Sequence, residues 1–183
     1  MKKQHTLAIE QKEDAKHGEA FFPVQKYMTL LSGEHPVVTT HWHEEAELTL
    51  ITGGCGHYQI DLVDYEVQAG DLVFVPPLVL HAISLGEGVS LSSETYVFHM
   101  NFLGGNATDI CSTRYLRPMM NQELSLPCLI TAGHPAYDEL KNSFDRIAAL
   151  YDEAVPGYEL ALKALFLQVI FQLLPYSKRM MSS

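Results

Sequence analysis

Short apolar runs separated by turn-forming residues fill the chain between residues 21 and 132. Runs of this length, bounded by Gly, Pro, Asp and Asn, are typical of β-strands. The predicted strands are 27–31, 47–52, 57–62, 71–76, 95–102 and 126–130. Between them, GGCG at 53–56 and AGD at 69–71 predict turns. Several short strands at this spacing predict a barrel or a sandwich.

The chain after residue 132 follows a helical pattern instead. A first helix is predicted over 135–154, with apolar positions at Leu140, Phe144, Ile147 and Leu150. Pro156 and Gly157 interrupt the pattern, and 158–176 resumes it with an apolar face wider than one contact surface requires. Two helices joined by a short turn predict an αα-hairpin.

The wide apolar face of the second helix bears on self-association. An uncovered face of that size favours pairing with a second copy, most often as a two-fold dimer. The alternative is that the first helix and the barrel cover this face completely. We therefore expect three parts: a flexible arm over 1–20, where the residues are mostly polar and charged, a β-barrel over 21–132, and a helical hairpin for dimerisation over 133–176.

The charge of the chain argues against a direct contact with DNA. Twelve basic and 22 acidic residues leave a net charge of −10, and an acidic surface repels phosphate groups. An acidic chain can still belong to a DNA-binding protein if a basic module lies elsewhere.

Cysteine usage and hydropathy indicate a cytoplasmic chain without a membrane span. Cys55, Cys111 and Cys128 are odd in number and widely spaced, so a disulfide framework is not expected and a reducing compartment fits better. No apolar run follows the basic N-terminus, so a secretory signal is absent from these residues. The late stretch ALKALFLQVIFQLL is short and interrupted by polar residues, which predicts that it does not cross a bilayer.

The stretch THWHEEAEL carries candidate metal ligands. His41 and His43 point to the same side of an extended strand, and Glu47 has the same parity. An extended chain from 43 to 47 covers about 13 Å, whereas ligands of one ion lie about 2 Å from it. The backbone must therefore turn between His43 and Glu47 if they meet. His81 follows GDLVFVPPLVL and can return on a neighbouring strand.

The three histidines and the glutamate form a mixed nitrogen and oxygen donor set. Such a set suits one divalent transition metal, namely zinc, manganese, iron or nickel. The alternative is a group of partly buried, hydrogen-bonded histidines that hold no ion, because the chain has nine histidines and an HxH pair can arise by chance.

The spacing of these residues resembles that of the cupin family. His41-x-His43-x3-Glu47-x6-Gly54 is similar to the first cupin motif, and GDLVFVPPLVLH, ending at His81, is similar to the second. The sequence departs from the pattern at turn positions more than at ligands, with His35, Leu78 and Leu85 in place of two glycines and an asparagine. The resemblance implies a mainly β fold, the double-stranded β-helix barrel, with His41, His43, Glu47 and His81 as its ligands.

A narrower resemblance covers most of residues 21–175. HWHEEAELTLI, GDLVFVPPLVLHAI, the YVFHMNF strand and the terminal helical hairpin together look like the sensor half of AraC-type transcription regulators. This resemblance implies that the cupin barrel binds a small-molecule effector and that the C-terminal helices form a homodimer. In that family DNA is bound by a domain with two helix-turn-helix units, and nothing in this sequence resembles one. We expect a fragment of a longer regulator or a stand-alone sensor.

Three functions are compatible with the pattern. The leading hypothesis is an effector-sensing and dimerisation domain in which His41, His43, Glu47 and His81 hold a metal or bind the effector directly. The alternative is a stand-alone metal-dependent cupin enzyme of the isomerase or dioxygenase type, and the third is a structural dimer module with an empty barrel. No catalytic residue is assigned. Tyr58 and Tyr96 are better explained as core residues, and the sequence leaves open whether the side of the strand that carries His99 faces the pocket.

Overall fold

The computed structural model describes residues 11–13 and 15–179. Its strands are β1 Val24–Leu31, β2 Val37–His41, β3 Glu45–Ile60, β4 Val63–Gln68, β5 Leu72–Val75, β6 His81–Ser84, β7 Leu91–His99, β8 Leu124–Ser125, β9 Leu129–Ile130 and β10 Lys178–Arg179. Its helices are α1 Arg117–Met120, preceded by a π-helical turn Ser112–Leu116, α2 Tyr137–Glu153 and α3 Tyr158–Leu173, followed by a 3₁₀ turn Leu174–Tyr176.

The long strand β3 belongs to two antiparallel sheets. Its first half pairs with β5 and β7 in a sheet of order β1-β7-β3-β5-β9. Its second half pairs with β4 and β6, and β6 also pairs with β2. The two sheets face each other across a common interior. This is the cupin barrel that the sequence motifs predicted, with the helical hairpin following it.

The predicted turn at GGCG is wrong, because residues 53–56 lie inside β3. The register against β7 shifts between Ile51 and Gly53, and Gly54 has a φ of +73°. A glycine adopts this left-handed conformation without steric cost, so the strand bends and continues into the second sheet instead of reversing. The turn predicted at AGD is confirmed: Gly70 has a φ of +97°, and Asp71 donates its backbone N–H to the Gln68 carbonyl at 3.0 Å.

Strand β5 separates the two hydrophobic cores of the molecule. Leu72 and Phe74 point outward into a core shared with the helices, whereas Val73 and Val75 point into the barrel. All four side chains are buried. A strand covered on both faces needs no polar alternation, which explains why this segment reads as a continuous apolar run.

The predicted helical hairpin is confirmed, and it packs on the outer face of the first sheet. Phe144 of α2 lies against the ring of Tyr96 with centroids 5.5 Å apart, and Phe166 of α3 stacks on Phe98 at 4.2 Å. Ala154 and Gly157 in the connection have positive φ angles of 46° and 85°, so the chain reverses between the helices. The hairpin thus fixes the outer side of the sheet whose inner side lines the barrel.

Helix α3 is strongly apolar along most of its length. The helical stretch Tyr158–Tyr176 has the length and composition of a membrane span. Leu165, Phe166 and Val169 are nevertheless buried in the core with the sheet, and core helices of soluble proteins meet the same two criteria. The stretch is therefore weak evidence for a membrane protein.

The described part of the N-terminal arm packs against the barrel. Residues 1–10, residue 14 and residues 180–183 lie outside the described residues, so most of the predicted flexibility of 1–20 stays a prediction. Lys12 forms a parallel bridge with Trp42, the residue between the two histidines of the first motif. His17 is buried, which the polar character of the arm did not predict.

Candidate functional site

The four predicted site residues converge at one end of the barrel interior. His41 ends β2, His81 begins β6, and the two are paired directly across the sheet. The backbone bends at Glu44, as convergence requires, and returns Glu47 towards His43. The Nε2 atom of His43 lies 3.0 Å from Oε1 of Glu47, and Nε2 of His81 lies 3.7 Å from the same oxygen.

The three imidazoles present their Nε2 atoms to the barrel interior. Each Nδ1 lies within hydrogen-bond distance of a backbone carbonyl two residues away. These distances are 2.8 Å from His41 to Thr39, 3.1 Å from His43 to Glu45 and 2.9 Å from His81 to Val79. A carbonyl only accepts, so Nδ1 donates its proton and Nε2 is the nitrogen on the Glu47 side, which donates to Glu47 when it is protonated and can ligate an ion when it is not. Metal-binding histidines are held in this way.

The donor atoms are close enough to share one ion. One ligand atom from each of His41, His43 and His81 lies within 4.8 Å of the others. Nε2 of His81 is buried and has no hydrogen-bond partner among the described residues. A buried polar atom without a partner is costly unless something binds it. The residues present therefore fit a divalent transition metal.

Burial and neighbouring charges shift the pKa values of Glu47, His81 and His41. Burial disfavours the charged form of Glu47, but the hydrogen bond from His43 and the nearby His81 outweigh it, so the pKa of Glu47 is held below its usual value. Burial also lowers the pKa of His81, but the Glu47 carboxylate outweighs burial and the pKa of His81 is raised. Burial and repulsion from His81 lower the pKa of His41. Glu47 is thus a carboxylate anion that attracts a cation.

A cavity of about 200 Å³ lies between the two sheets, and His41, Glu47 and His81 of this cluster line it. Thr95 and Val97 line it from the first sheet, and Tyr58 and Ile83 line it from the second. Pockets that enclose drug-sized molecules have about 300–1,000 Å³. This cavity therefore suits a small ligand, held by the polar cluster at one end and by apolar side chains around it.

Tyr58, Tyr96 and His99 occupy three different environments. Tyr58 and Tyr96 are both buried, as predicted, but Tyr58 also lines the cavity whereas Tyr96 faces the helices. Burial raises the pKa of Tyr58 far above its usual value, so its hydroxyl is neutral. His99 lies outside the cavity, where its Nδ1 accepts a hydrogen bond from the backbone N–H of Asn101 at 3.1 Å.

Glu13 and His17 line the cavity from the arm, and the sequence did not predict them as site residues. Oε2 of Glu13 lies 3.6 Å from Nε2 of His41, and the rings of His17 and His43 have centroids 5.1 Å apart. The only sequence signal is the spacing of a glutamate and a histidine four residues apart, which is common at surfaces.

Comparison with known proteins decides the family. Residues 27–170 match the family model described as the AraC-like ligand binding domain. The chain belongs to this family. As an AraC-like ligand-binding domain it is 27% identical over 137 residues to an uncharacterized HTH-type transcriptional regulator, YdeC, of Bacillus subtilis. The match covers 74% of this chain and 45% of that protein, so the chain spans about half the length of this curated relative.

Solved cupin structures are also similar to the AraC-like domain. A cupin protein from Bacteroides fragilis is 24% identical with a TM-score of 0.39, and the match covers 42% of this chain and 65% of that one. A cupin-like protein from Thermotoga maritima is 23% identical with a TM-score of 0.40, over 44% of this chain and 60% of that one. These matches cover less than half of the chain.

Proposed function

We propose that the chain is the effector-sensing and dimerisation domain of an AraC-type transcription regulator. The observation that carries this proposal is the cavity of about 200 Å³ lined by His41, His81 and Glu47, with His43 in contact with Glu47 beside it. The effector is a small molecule that binds either directly to these groups or through a metal. DNA is bound by a domain outside this chain, in keeping with the net charge of −10.

The metal would be held by His41, His43, His81 and Glu47. When bound, a divalent zinc, manganese, iron or nickel ion supplies a Lewis acid that binds an oxygen atom of the effector. The backbone carbonyls that hold each Nδ1 keep the three rings oriented before binding. Without a metal, the Glu47 carboxylate accepts hydrogen bonds from hydroxyl or amino groups of the effector.

A thermal-shift screen tests the effector site. A ligand at 100 times its Kd is expected to raise the melting temperature of metal-free or metal-loaded protein by about 5–10 °C. We expect His81→Ala to abolish this shift, because Nε2 of His81 faces the cavity, and His57→Ala to retain it, because His57 is exposed. A shift of equal size in His81→Ala would place the ligand elsewhere.

Dimerisation is supported by an apolar seam on α3. This seam consists of Leu160, Ala164, Leu167 and Phe171, whose spacing of four, three and four residues puts them on one side of the helix. Leu160 is 77% exposed and Phe171 is 70% exposed. The opposite side of α3 packs against the sheet, so the seam is free to pair with a second copy.

Substitution of the seam is expected to weaken the dimer. Replacing both Leu160 and Phe171 with serine removes two anchors, each of the kind that costs about 2 kcal/mol or more at an interface. Together the two anchors correspond to about 4 kcal/mol, so we expect the dimer Kd to rise at least about 1,000-fold, as measured by sedimentation equilibrium. Ile110→Ser is the matched control, because Ile110 is 58% exposed but lies before the π-helical turn, outside the hairpin. An unchanged Kd in the double variant would contradict the seam.

A cytoplasmic location is part of the proposal. Cys55 and Cys111 are exposed and unpaired, and Cys128 is half-buried and unpaired. Free thiols of this kind persist in reducing compartments, where transcription regulators also meet DNA.

A metal-dependent cupin enzyme is the second candidate, favoured by the complete donor quartet and by the Tyr58 hydroxyl in the same cavity. Because burial raises the pKa of Tyr58, this hydroxyl can donate a proton but is not a base near neutral pH. Incubating metal-loaded protein with a ligand found by thermal shift separates the two functions. Recovery of the ligand unchanged supports the sensor, whereas a product whose formation requires Tyr58 supports the enzyme.

A further inference from the structure

The N-terminal arm is fastened across the mouth of the barrel beside the histidine cluster. Glu13 donates its backbone N–H to the carbonyl of Trp42 at 3.0 Å, and Trp42 donates its own to the carbonyl of Gln11 at 3.0 Å. Nζ of Lys12 lies 2.7 Å from a carboxylate oxygen of Glu44. These contacts bring the side chain of Glu13 over the Nε2 atom of His41.

A second group of possible ligands forms where the arm meets the barrel. Donor atoms of Glu13, His17 and His43 all lie within 4.8 Å of one another. Oε2 of Glu13 is 3.4 Å from Nε2 of His17. Two of these residues come from the arm and one from the barrel, so an ion held by all three would join the two parts.

His17 carries the observation that points to a ligand. Its side chain is 3% exposed, and its Nε2 is buried without a hydrogen-bond partner among the described residues. The other ring nitrogen of His17, Nδ1, is within hydrogen-bond distance of the Tyr27 hydroxyl, at 2.8 Å. A buried imidazole nitrogen with no partner is costly, and it faces a carboxylate that is a hard oxygen donor.

We propose that Glu13, His17 and His43 form a second divalent-metal site, which fastens the N-terminal arm to the barrel. Two imidazoles and one carboxylate are a common three-ligand set for zinc and leave a position for water or another ligand. His43 belongs to both this arm site and the barrel quartet, and its one inward nitrogen binds one ion at a time. The two sites therefore compete for His43, and occupation of the arm site stabilises the docked arm.

The chain provides its own readouts for arm docking. Trp42 is the only tryptophan, and it contacts the arm through backbone hydrogen bonds and through Lys12, whose Nζ lies 5.4 Å from the ring centroid. Lys16 is exposed and lies between the two proposed arm ligands, Glu13 and His17, along the chain, so trypsin cleavage after Lys16 reports release of the arm. Both are measured on the full chain.

The experiment titrates Zn²⁺ into EDTA-treated protein. In the unmodified chain Zn²⁺ is expected to change Trp42 fluorescence and to slow cleavage after Lys16 at least about fivefold, the lower end of typical coupling between linked events. In the double variant Glu13→Gln/His17→Gln both responses are expected to vanish, while calorimetry still detects Zn²⁺ at the barrel quartet. The matched control Glu19→Gln/His57→Gln changes an exposed arm glutamate and an exposed histidine and should respond like the unmodified chain.

The variant His81→Ala separates this site from the barrel quartet. It leaves Glu13, His17 and His43 intact, so the Zn²⁺-dependent protection of the arm is expected to persist. Protection that is unchanged in Glu13→Gln/His17→Gln, or that is lost only in His81→Ala, would overturn the arm site while leaving a metal in the barrel. Zn²⁺ binding without any change in protection, or no Zn²⁺ binding at all, would also overturn it. Circular dichroism verifies the fold, and His17→Gln alone is used if the double variant does not fold.

Discussion

His43→Ala is expected to lower the affinity of the chain for divalent transition metals by at least about 100-fold. Loss of a residue that only orients a ligand costs about 10–100-fold, and loss of the ligand itself should cost no less. His43 is buried, its Nε2 lies 3.0 Å from Glu47, and it is the residue common to both groups of donor atoms. Isothermal titration calorimetry of EDTA-treated protein with Zn²⁺ and Ni²⁺ measures the affinity.

Two further variants make this test specific. His43→Gln retains a group that can hydrogen-bond to Glu47 but lacks the imidazole nitrogen, so it separates metal binding from stability of the fold. His57→Ala removes an exposed histidine from the same strand as Glu47 and should leave the affinity unchanged. If His43→Ala and His43→Gln bind metal as tightly as the unmodified chain, the metal is bound elsewhere. The cluster is then a set of hydrogen-bonded core histidines that holds no ion.

Gly54→Ala is expected to lower the free energy of unfolding by about 3 kcal/mol. A left-handed conformation costs a residue with a Cβ about 1–2 kcal/mol, and forced overpacking typically costs about 1–3 kcal/mol. Both apply here, because φ is +73° and a Cβ would lie 1.8 Å from the backbone oxygen of Ser90. Urea unfolding followed by circular dichroism measures the change.

Gly33→Ala is the matched control. Gly33 has no positive φ, and a Cβ there would have no atom within 4 Å, so the change is expected to stay within about 0.5 kcal/mol. Equal stability of Gly54→Ala and Gly33→Ala would show that the bend in β3 is not constrained. The bend concerns the site as well as the fold, because it lies between Glu47 in the first sheet and Tyr58 in the second.

The periodicity of the sequence predicted the helices better than the strands. Leu140, Phe144 and Ile147 recur at helical spacing, and all three are buried in α2. Strands β2, β4 and β6 were not predicted, because they are short and carry polar residues that a local pattern does not distinguish from loops. The GGCG segment failed for a related reason, since glycine permits both a turn and a bend within a strand.

The candidate site was predicted where a motif exists and missed where none does. His41, His43, Glu47 and His81 were found from their spacing, and the bend at Glu44 was required by the reach of an extended chain. Their role as ligands stays a prediction. Glu13 and His17 lie in a polar segment without periodicity, so their place at the barrel mouth followed only from the docking of the arm.

The sequence by itself determined the two helices of the hairpin, the fold family and the four motif residues that meet at the barrel interior. These features depend on local periodicity and on motif spacing, which are properties of the chain alone. Only the tertiary structure decided which face of each strand lines the cavity, how β3 passes between two sheets, and that His17 is buried beside His43. Those features depend on contacts between residues far apart in the chain, and a shift of one residue in strand register would reverse every inward-facing side chain.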